Sequence, residues 1–314
     1  MKLFSATLFA AAVTAGAATA QTDLTLGTSS AGGSWYPAAQ VMARIIQQEV
    51  PDVRVTVMPG GSLSNVQGLS GGQYDIAFAH SQDIVTGIKG EEPFKEPIKN
   101  VRAIGSLWTN YFQVGVRPDA GIDSIADMKG KAISPGNRGW GSEAATRMLL
   151  ELNGMSYDDM SKVEFTGWQG ITDLYKDHHI DAVFAVSSLG HPSMQEMAVG
   201  GSGMKLISFS DETIKGVMAA NPAYYPITIP ANSYPGNEKD VQSFGSNTIL
   251  AVRQELPADL VEKITAALMN HHDELVGALA ALEEMTPKFA AQVPDAIGLH
   301  AGARAYYEKS GTLK

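Results

Sequence analysis

Gly27-Thr28-Ser29-Ser30-Ala31-Gly32-Gly33-Ser34-Trp35-Tyr36-Pro37 follows the alternating segment Leu24-Thr25-Leu26 and precedes an amphipathic pattern over residues 38–50. A strand that passes through small hydroxyl residues and Gly into a helix leaves the first N–H groups of that helix without backbone partners. Those donors, the hydroxyls beside them and the positive end of the helix dipole attract an anion. Trp35-Tyr36 adds an aromatic wall that a loop for phosphate alone does not need. The segment therefore reads as half of a binding site for a small organic acid, carried on a strand–loop–helix unit.

The same alternation continues along the chain. Residues 53–57, 75–79, 98–107 and 112–117 read as strands; residues 64–70, 122–128, 142–152, 171–177 and 256–285 carry helical spacing. Alternating strands and helices predict an α/β fold with helices on both faces of mostly parallel sheets. A chain of 314 residues exceeds one ordinary core, so two lobes are expected. Phe112-Gln113-Val114-Gly115-Val116-Arg117 and Thr248-Ile249-Leu250-Ala251-Val252-Arg253 share one form, a β-rich run ending in Arg. As strands that cross between lobes they divide the chain into lobe I, residues 21–113 and 246–314, and lobe II, residues 114–245. As ordinary strands of one large domain they divide nothing.

Residues 1–20 read as a secretory signal peptide. Met1-Lys2 is positive, residues 3–17 are apolar, and Ala18-Thr19-Ala20 fits a small-x-small cleavage pattern. Cleavage after Ala20 predicts an exported, periplasmic chain. The chain has no cysteine, which removes a lipid-anchored start and any disulfide framework. Its net charge of −10 argues against nucleic acid or anionic lipid as a partner. It does not argue against a small anion, because helix ends and a single Arg dominate at short range.

An ordered set of motifs resembles the TAXI-type solute receptors of the tripartite ATP-independent periplasmic (TRAP) transporters. After the opening loop come Gly60-Gly61-Ser62-Leu63-Ser64-Asn65, Gly72-Gln73-Tyr74-Asp75-Ile76-Ala77 and Gly121-Ile122-Asp123-Ser124-Ile125-Ala126-Asp127-Met128-Lys129-Gly130-Lys131. Ser134-Pro135-Gly136-Asn137-Arg138-Gly139-Trp140-Gly141-Ser142-Glu143, Asp181-Ala182-Val183-Phe184 and Ile229-Pro230-Ala231-Asn232-Ser233-Tyr234-Pro235-Gly236 complete it. The resemblance covers nearly all of residues 24–280. It implies a two-lobed type II periplasmic-binding-protein fold, each lobe a mixed, mostly parallel sheet flanked by helices, that closes on a small organic acid: a dicarboxylate, a 2-oxo acid or an acidic amino acid. It also implies delivery to membrane permease subunits, by a protein expected to be a monomer without cofactor. Two loops depart from the family pattern. Asn137-Arg138-Gly139-Trp140-Gly141-Ser142 is bulkier and more charged than the usual small-residue loop, and His80-Ser81-Gln82-Asp83 stands where Gln-Ser or Gln-Ala is usual.

The candidate ligand-binding residues are Thr28, Ser29, Ser34, Trp35, Tyr36, Ser62, Asn65, His80, Gln82, Asn137, Arg138, Gly139, Ser142, Trp168 and Ser187. Ser142 and the N–H groups after Gly139 can take a carboxylate, and Arg138 can add a bidentate contact. Asn65 can donate to and accept from a ligand or satisfy its own backbone. His80 and Gln82 follow a buried strand at its carboxyl end, where open α/β sheets bind ligands. Trp35, Tyr36, Trp108 and Trp168 can wall a cleft or fill a core. Catalytic readings find little: there is no nucleophile elbow, no phosphate-binding Gly-rich motif and no zinc spacing. A secreted enzyme acting on a small acid, and a receptor for an ABC transporter or a sensor kinase, stand as alternatives.

Overall fold

A computed structural model of the chain describes residues 21–30, 33–201 and 203–314. The signal-peptide expectation for residues 1–20 lies outside the described residues. Among those described, no helix is long and apolar enough to cross a membrane.

Among the described residues ten strands form one hydrogen-bonded sheet: β1 Thr22–Gly27, β2 Val53–Met58, β3 Ile76–His80, β4 Val101–Val116, β5 Ala132–Ser134, β6 Lys162–Val163, β7 Ala182–Ser187, β8 Lys205–Leu206, β9 Tyr225–Ile229 and β10 Val241–Arg253. Their order is β2-β1-β3-β10-β4-β7-β5-β6, with β8 beside β4 and β9 beside β10. The helices are α1 Trp35–Glu49, α2 Ser62–Ser70, α3 Ser81–Lys89, α4 Gly141–Leu152, α5 Trp168–Lys176, α6 Pro192–Val199, α7 Asp211–Ala220, α8 Ala258–Asn270, α9 His272–Ala278, α10 Pro287–Ala290 and α11 Ala301–Lys309.

The two outer groups, β1 with β2 and β3, and β5 with β6 and β7, are parallel. The centre is antiparallel, because β10 runs against β3 and β4, and β4 against β7. The expectation of mostly parallel sheets therefore holds for the flanks and not for the centre. Parallel flanks follow from strand–helix–strand units: Leu24 and Leu26 of β1 are buried against the α1 face of Ala38, Ala39, Met42, Ile45 and Ile46. That spacing of three and four residues gives one apolar stripe.

The runs at residues 98–107 and 112–117 prove to be one 16-residue strand, β4. The polar Thr109-Asn110 between them stays extended because Asn247 and Ser246 of β10 pair with it. β10 likewise begins at Val241, upstream of the expected Thr248. Along these two strands the core changes sides. Leu107, Trp108 and Leu250 pack with α1 and α8, whereas Phe112, Val114 and Phe244 pack with α4 and α7. β4 contributes buried residues to three hydrophobic clusters and β10 to four, and the sheet is continuous through the change.

Two helical expectations are shortened. Residues 256–285 break at His271 into α8, α9 and a 3-10 segment Ala280–Glu284, which lets Leu268, Leu275 and Leu282 reach the same core. Of residues 122–128 only Ile125–Met128 turns, as a 3-10 helix capped by Ser124 and Asp127.

Candidate functional site

A cavity of about 60 Å³ lies where the two groups of elements meet. From the first come Ser29, Gly33, Ser34, Trp35, Gly61, Ser62, His80, Trp108 and Asn110; from the second come Trp140, Gly141, Ser142, Trp168, Val186, Ser187, Ser188 and His191. All four tryptophans of the chain line it.

Six helices begin here. Ser34, Gly61, His80, Trp140 and His191 are the N-cap residues of α1, α2, α3, α4 and α6, and Trp168 is the first residue of α5. Among the described residues the N-cap side chains of α1, α2, α3, α4 and α5 make no capping hydrogen bond. Asp83 and Glu143 stand in the first turns of α3 and α4, while α1, α2, α5 and α6 carry no acid there. Among the described residues no Lys, Arg, Asp or Glu lines the cavity. The lining therefore offers an anion the N–H groups of helix starts and hydroxyls rather than a cationic side chain. Each such end contributes about 0.3–1 kcal/mol to an anion, up to ~2 when partly buried, so the set acts together.

The aromatic walls are built on both sides. The ring centroids of Trp35 and His80 are 4.9 Å apart edge to face, and Trp35 stacks on Phe78 at 5.7 Å. Opposite them, Trp140 lies 5.9 Å from Trp168, which stacks on His191 at 4.0 Å. Asn110 connects wall to sheet: its Oδ1 accepts from Trp108 Nε1 at 3.1 Å, and its Nδ2 donates to Thr248 Oγ1 at 2.6 Å. Tyr234 Oη donates to Gln113 Oε1 at 2.6 Å, and Gln113 Nε2 donates to Ser187 Oγ at 2.9 Å. These buried pairs hold the floor where β4, β7 and β10 pass.

The structure brings together eight of the residues expected from sequence: Ser29, Ser34, Trp35, Ser62, His80, Ser142, Trp168 and Ser187. Their hydroxyls are partly engaged. Ser62 Oγ accepts from the His80 N–H at 2.8 Å, and Ser142 Oγ donates to Pro135 O at 2.8 Å. Thr28, Tyr36, Asn65, Gln82, Asn137, Arg138 and Gly139 do not line the cavity. Thr28 lies fully buried below the loop, and its carbonyl accepts from Asn65 Nδ2 at 3.0 Å. The same amide donates to Phe78 O at 2.8 Å, so the backbone-satisfying reading of Asn65 is the one observed. Gln82 does not extend the strand; it sits in the first turn of α3 and lines a separate groove with Asp83, Asn221 and Tyr224. Asn137 and Arg138 face an outer groove, where the guanidinium lies 3.8 Å over the Phe165 ring.

Sequence reasoning missed Asn110, Trp140 and His191 as lining residues. Trp140 had a legible signal, an indole between Gly139 and Gly141 just before a helix. His191 had one in Pro192, since Pro at the first helical position marks a helix start. Asn110 had none, because a polar residue inside a long strand looks like a loop.

Burial lowers the His191 pKa from its usual 6.5 to about 4. Its Nδ1 accepts from the Ser193 N–H at 3.3 Å, so the neutral ring carries its proton on Nε2. Between pH 6.5 and 4 the unfolded chain takes up a proton that the folded ring refuses. Stability is therefore full above pH 6.5 and falls on acidification, by about 2 kcal/mol from pH 7 to pH 5 for this one group. Urea unfolding of the protein and of His191→Asn, which keeps a capping oxygen, should show that difference shrinking as pH falls. A gap that does not change with pH would rule the assignment out. His300, also lowered by burial, titrates in the same direction in both proteins.

Among the described residues no serine hydroxyl is hydrogen-bonded to the His80 or His191 ring, and no group of acidic and His side chains is arranged to hold a metal ion.

The model of the NMT1-like family matches residues 26–311. The chain belongs to the NMT1-like family. Solved structures similar to this NMT1-like chain include PhnD1 from Prochlorococcus marinus (MIT 9301) in complex with methylphosphonate, at TM-score 0.57 and 10% identity, covering 93% of this chain and 99% of that one. A protein of Bordetella bronchiseptica RB50 matches at TM-score 0.57 and 15% identity over 93% and 98%. XAC2383 from Xanthomonas citri bound to ATP matches at 0.50 and 13% over 93% and 97%. At such identities the fold alone is shared. It is the α/β, type II periplasmic-binding-protein fold, a mixed sheet with flanking helices.

Proposed function

We propose that this NMT1-like protein is an exported, periplasmic solute receptor that closes on one small organic anion. On this reading the moving bodies are residues 21–113 with 246–314, and residues 114–245, hinged where β4 and β10 pass between the two cores. The ligand class is a short carboxylic acid, and the receiving partner is the membrane permease of a TRAP-type secondary transporter. The observation that carries the ligand class is the convergence of six helix N-termini on an aromatic-walled cavity without a charged side chain. An anion finds donors there on every side, while a cation finds no carboxylate. The TRAP partner is supported by the motif order, from Gly27-Thr28-Ser29 to Ile229-Pro230-Ala231-Asn232.

A receptor for an ABC transporter is the second reading. It is favoured by the likeness to PhnD1, whose methylphosphonate is also a small anion. Uptake by vesicles carrying one permease type or the other separates the two partners.

The ligand is tested by thermal unfolding of the purified, ligand-stripped protein with short carboxylates, amino acids, phosphonates and sugars. A bound acid at 100 times its Kd adds about 2.7 kcal/mol, several degrees in Tm. Because every tryptophan lines the cavity, the same acid should change the intrinsic fluorescence with saturation. A shift with sugars alone, or with nothing, defeats the organic-anion reading.

A further inference from the structure

Trp140 belongs to two spaces at once. It walls the inner cavity of about 60 Å³, and on its other side it walls the open groove of about 430 Å³ that holds Arg138. Among the described residues, Gly61 is the one other residue the two share. The indole is wedged between glycines: a Cβ on Gly61 would lie 2.8 Å from Trp140 Cδ1, and one on Gly136 would lie 2.7 Å from its Cε3. Both positions lack a side chain where the ring passes, so the slot fits the indole and little else.

The inner volume bounds what fits behind it. A water-sized group needs about 10–15 Å³ by this measure, so the cavity holds about four to six. That suits an acid of two or three carbons and leaves no room for a second carboxylate farther along the chain. Beyond the indole, the exposed Arg138 guanidinium rests on Phe165, and among the described residues no carboxylate lies within ion-pair distance of it. Asn137 and Ser64 lie beside it.

Resting on the proposed anion-binding function, we propose that Trp140 is the partition that sets ligand length. With the indole in its slot the site takes a short monocarboxylate. With the indole removed, inner cavity and outer groove merge, and the far carboxylate of a longer acid pairs with Arg138, a planar donor suited to bidentate contact.

The test is calorimetric titration with unbranched mono- and dicarboxylates of two to six carbons. The wild-type protein should bind the two- and three-carbon acids at least about 10-fold more tightly than the five- and six-carbon diacids. Trp140→Ala should raise the affinity for the longer diacids by about 10-fold or more, and Arg138→Gln in that background should abolish the gain while leaving short acids bound. Trp140→Phe should keep the wild-type order. If Trp140→Ala does not fold, Trp140→Leu, which shortens the same apolar side chain, must move the order the same way. An unmoved length order in a folded variant that still binds an acid overturns the partition alone, as does a gain that survives Arg138→Gln. Absence of acid binding by the wild-type protein at every length overturns the proposed function, and the partition with it.

Discussion

Gly141→Ala is expected to lower ligand affinity by about 100-fold or more, roughly 2.7 kcal/mol, while leaving the melting temperature of the ligand-free protein nearly unchanged. Gly141 is the first residue of α4, and its backbone meets the start of α3 from the opposite half of the molecule. A Cβ there would lie 2.4 Å from Asp83 Oδ2 and 2.5 Å from His80 Nδ1. Neither side chain can swing into solvent: Asp83 is 2% and His80 6% exposed, and Trp35 blocks the His80 ring. The added methyl group must hold the two halves apart. On the proposed hinged reading an open form tolerates it, so folding survives while the enclosed, water-excluding cavity does not form. Titration with the acid found by thermal unfolding, alongside small-angle scattering with and without that acid, gives the answer. Unaltered affinity would mean that the halves need not meet at Gly141 for binding.

Asn65→Ala is expected to destabilise the ligand-free protein by about 2–4 kcal/mol, as two buried carbonyls lose their donor. Its Nδ2 joins Thr28 O, just past the end of β1, to Phe78 O in β3, and the residue is fully buried. β1 leads into the loop that holds Ser29, and β3 ends at His80, both of which line the cavity. At about 2–4 °C per kcal/mol for a chain somewhat smaller than this one, Tm should fall by several degrees before any ligand is added. Asn65→Asp, which keeps the shape and loses both donated hydrogen bonds, should behave likewise. A variant that melts normally and loses only ligand binding would instead place Asn65 in contact with the ligand.

These two residues also show where reading the chain stops. Gly141-Ser142 was legible as a helix start because small residues precede apolar periodicity, whereas α2 was expected from Ser64 and begins at Ser62. Asn65 was legible as a polar residue in a small-residue loop. Which partner its amide takes depends on geometry that only the fold provides: the carbonyls of Thr28 and Phe78 are distant in sequence and meet only when β1 and β3 lie side by side. Arg138 was legible as a charge near a helix start, and the strongest anion donor in that loop by chemistry. The fold turns it outward onto Phe165, and leaves the inner cavity to backbone dipoles.

By itself, then, the sequence determined the α/β class, the strand-to-helix loops and the residue types that could meet an acid. Those are local properties: apolar periods of two and of three to four residues, Gly and Ser at turns, and indoles beside them. Tertiary structure alone decided that β4 and β10 run unbroken through both cores, since the polar Thr109-Asn110 stays extended only by pairing across β10. It alone decided that four tryptophans and six helix starts face one cavity, and that Arg138 stands behind Trp140 rather than inside. Convergence of that kind depends on contacts between residues far apart in the chain, and no local pattern encodes it.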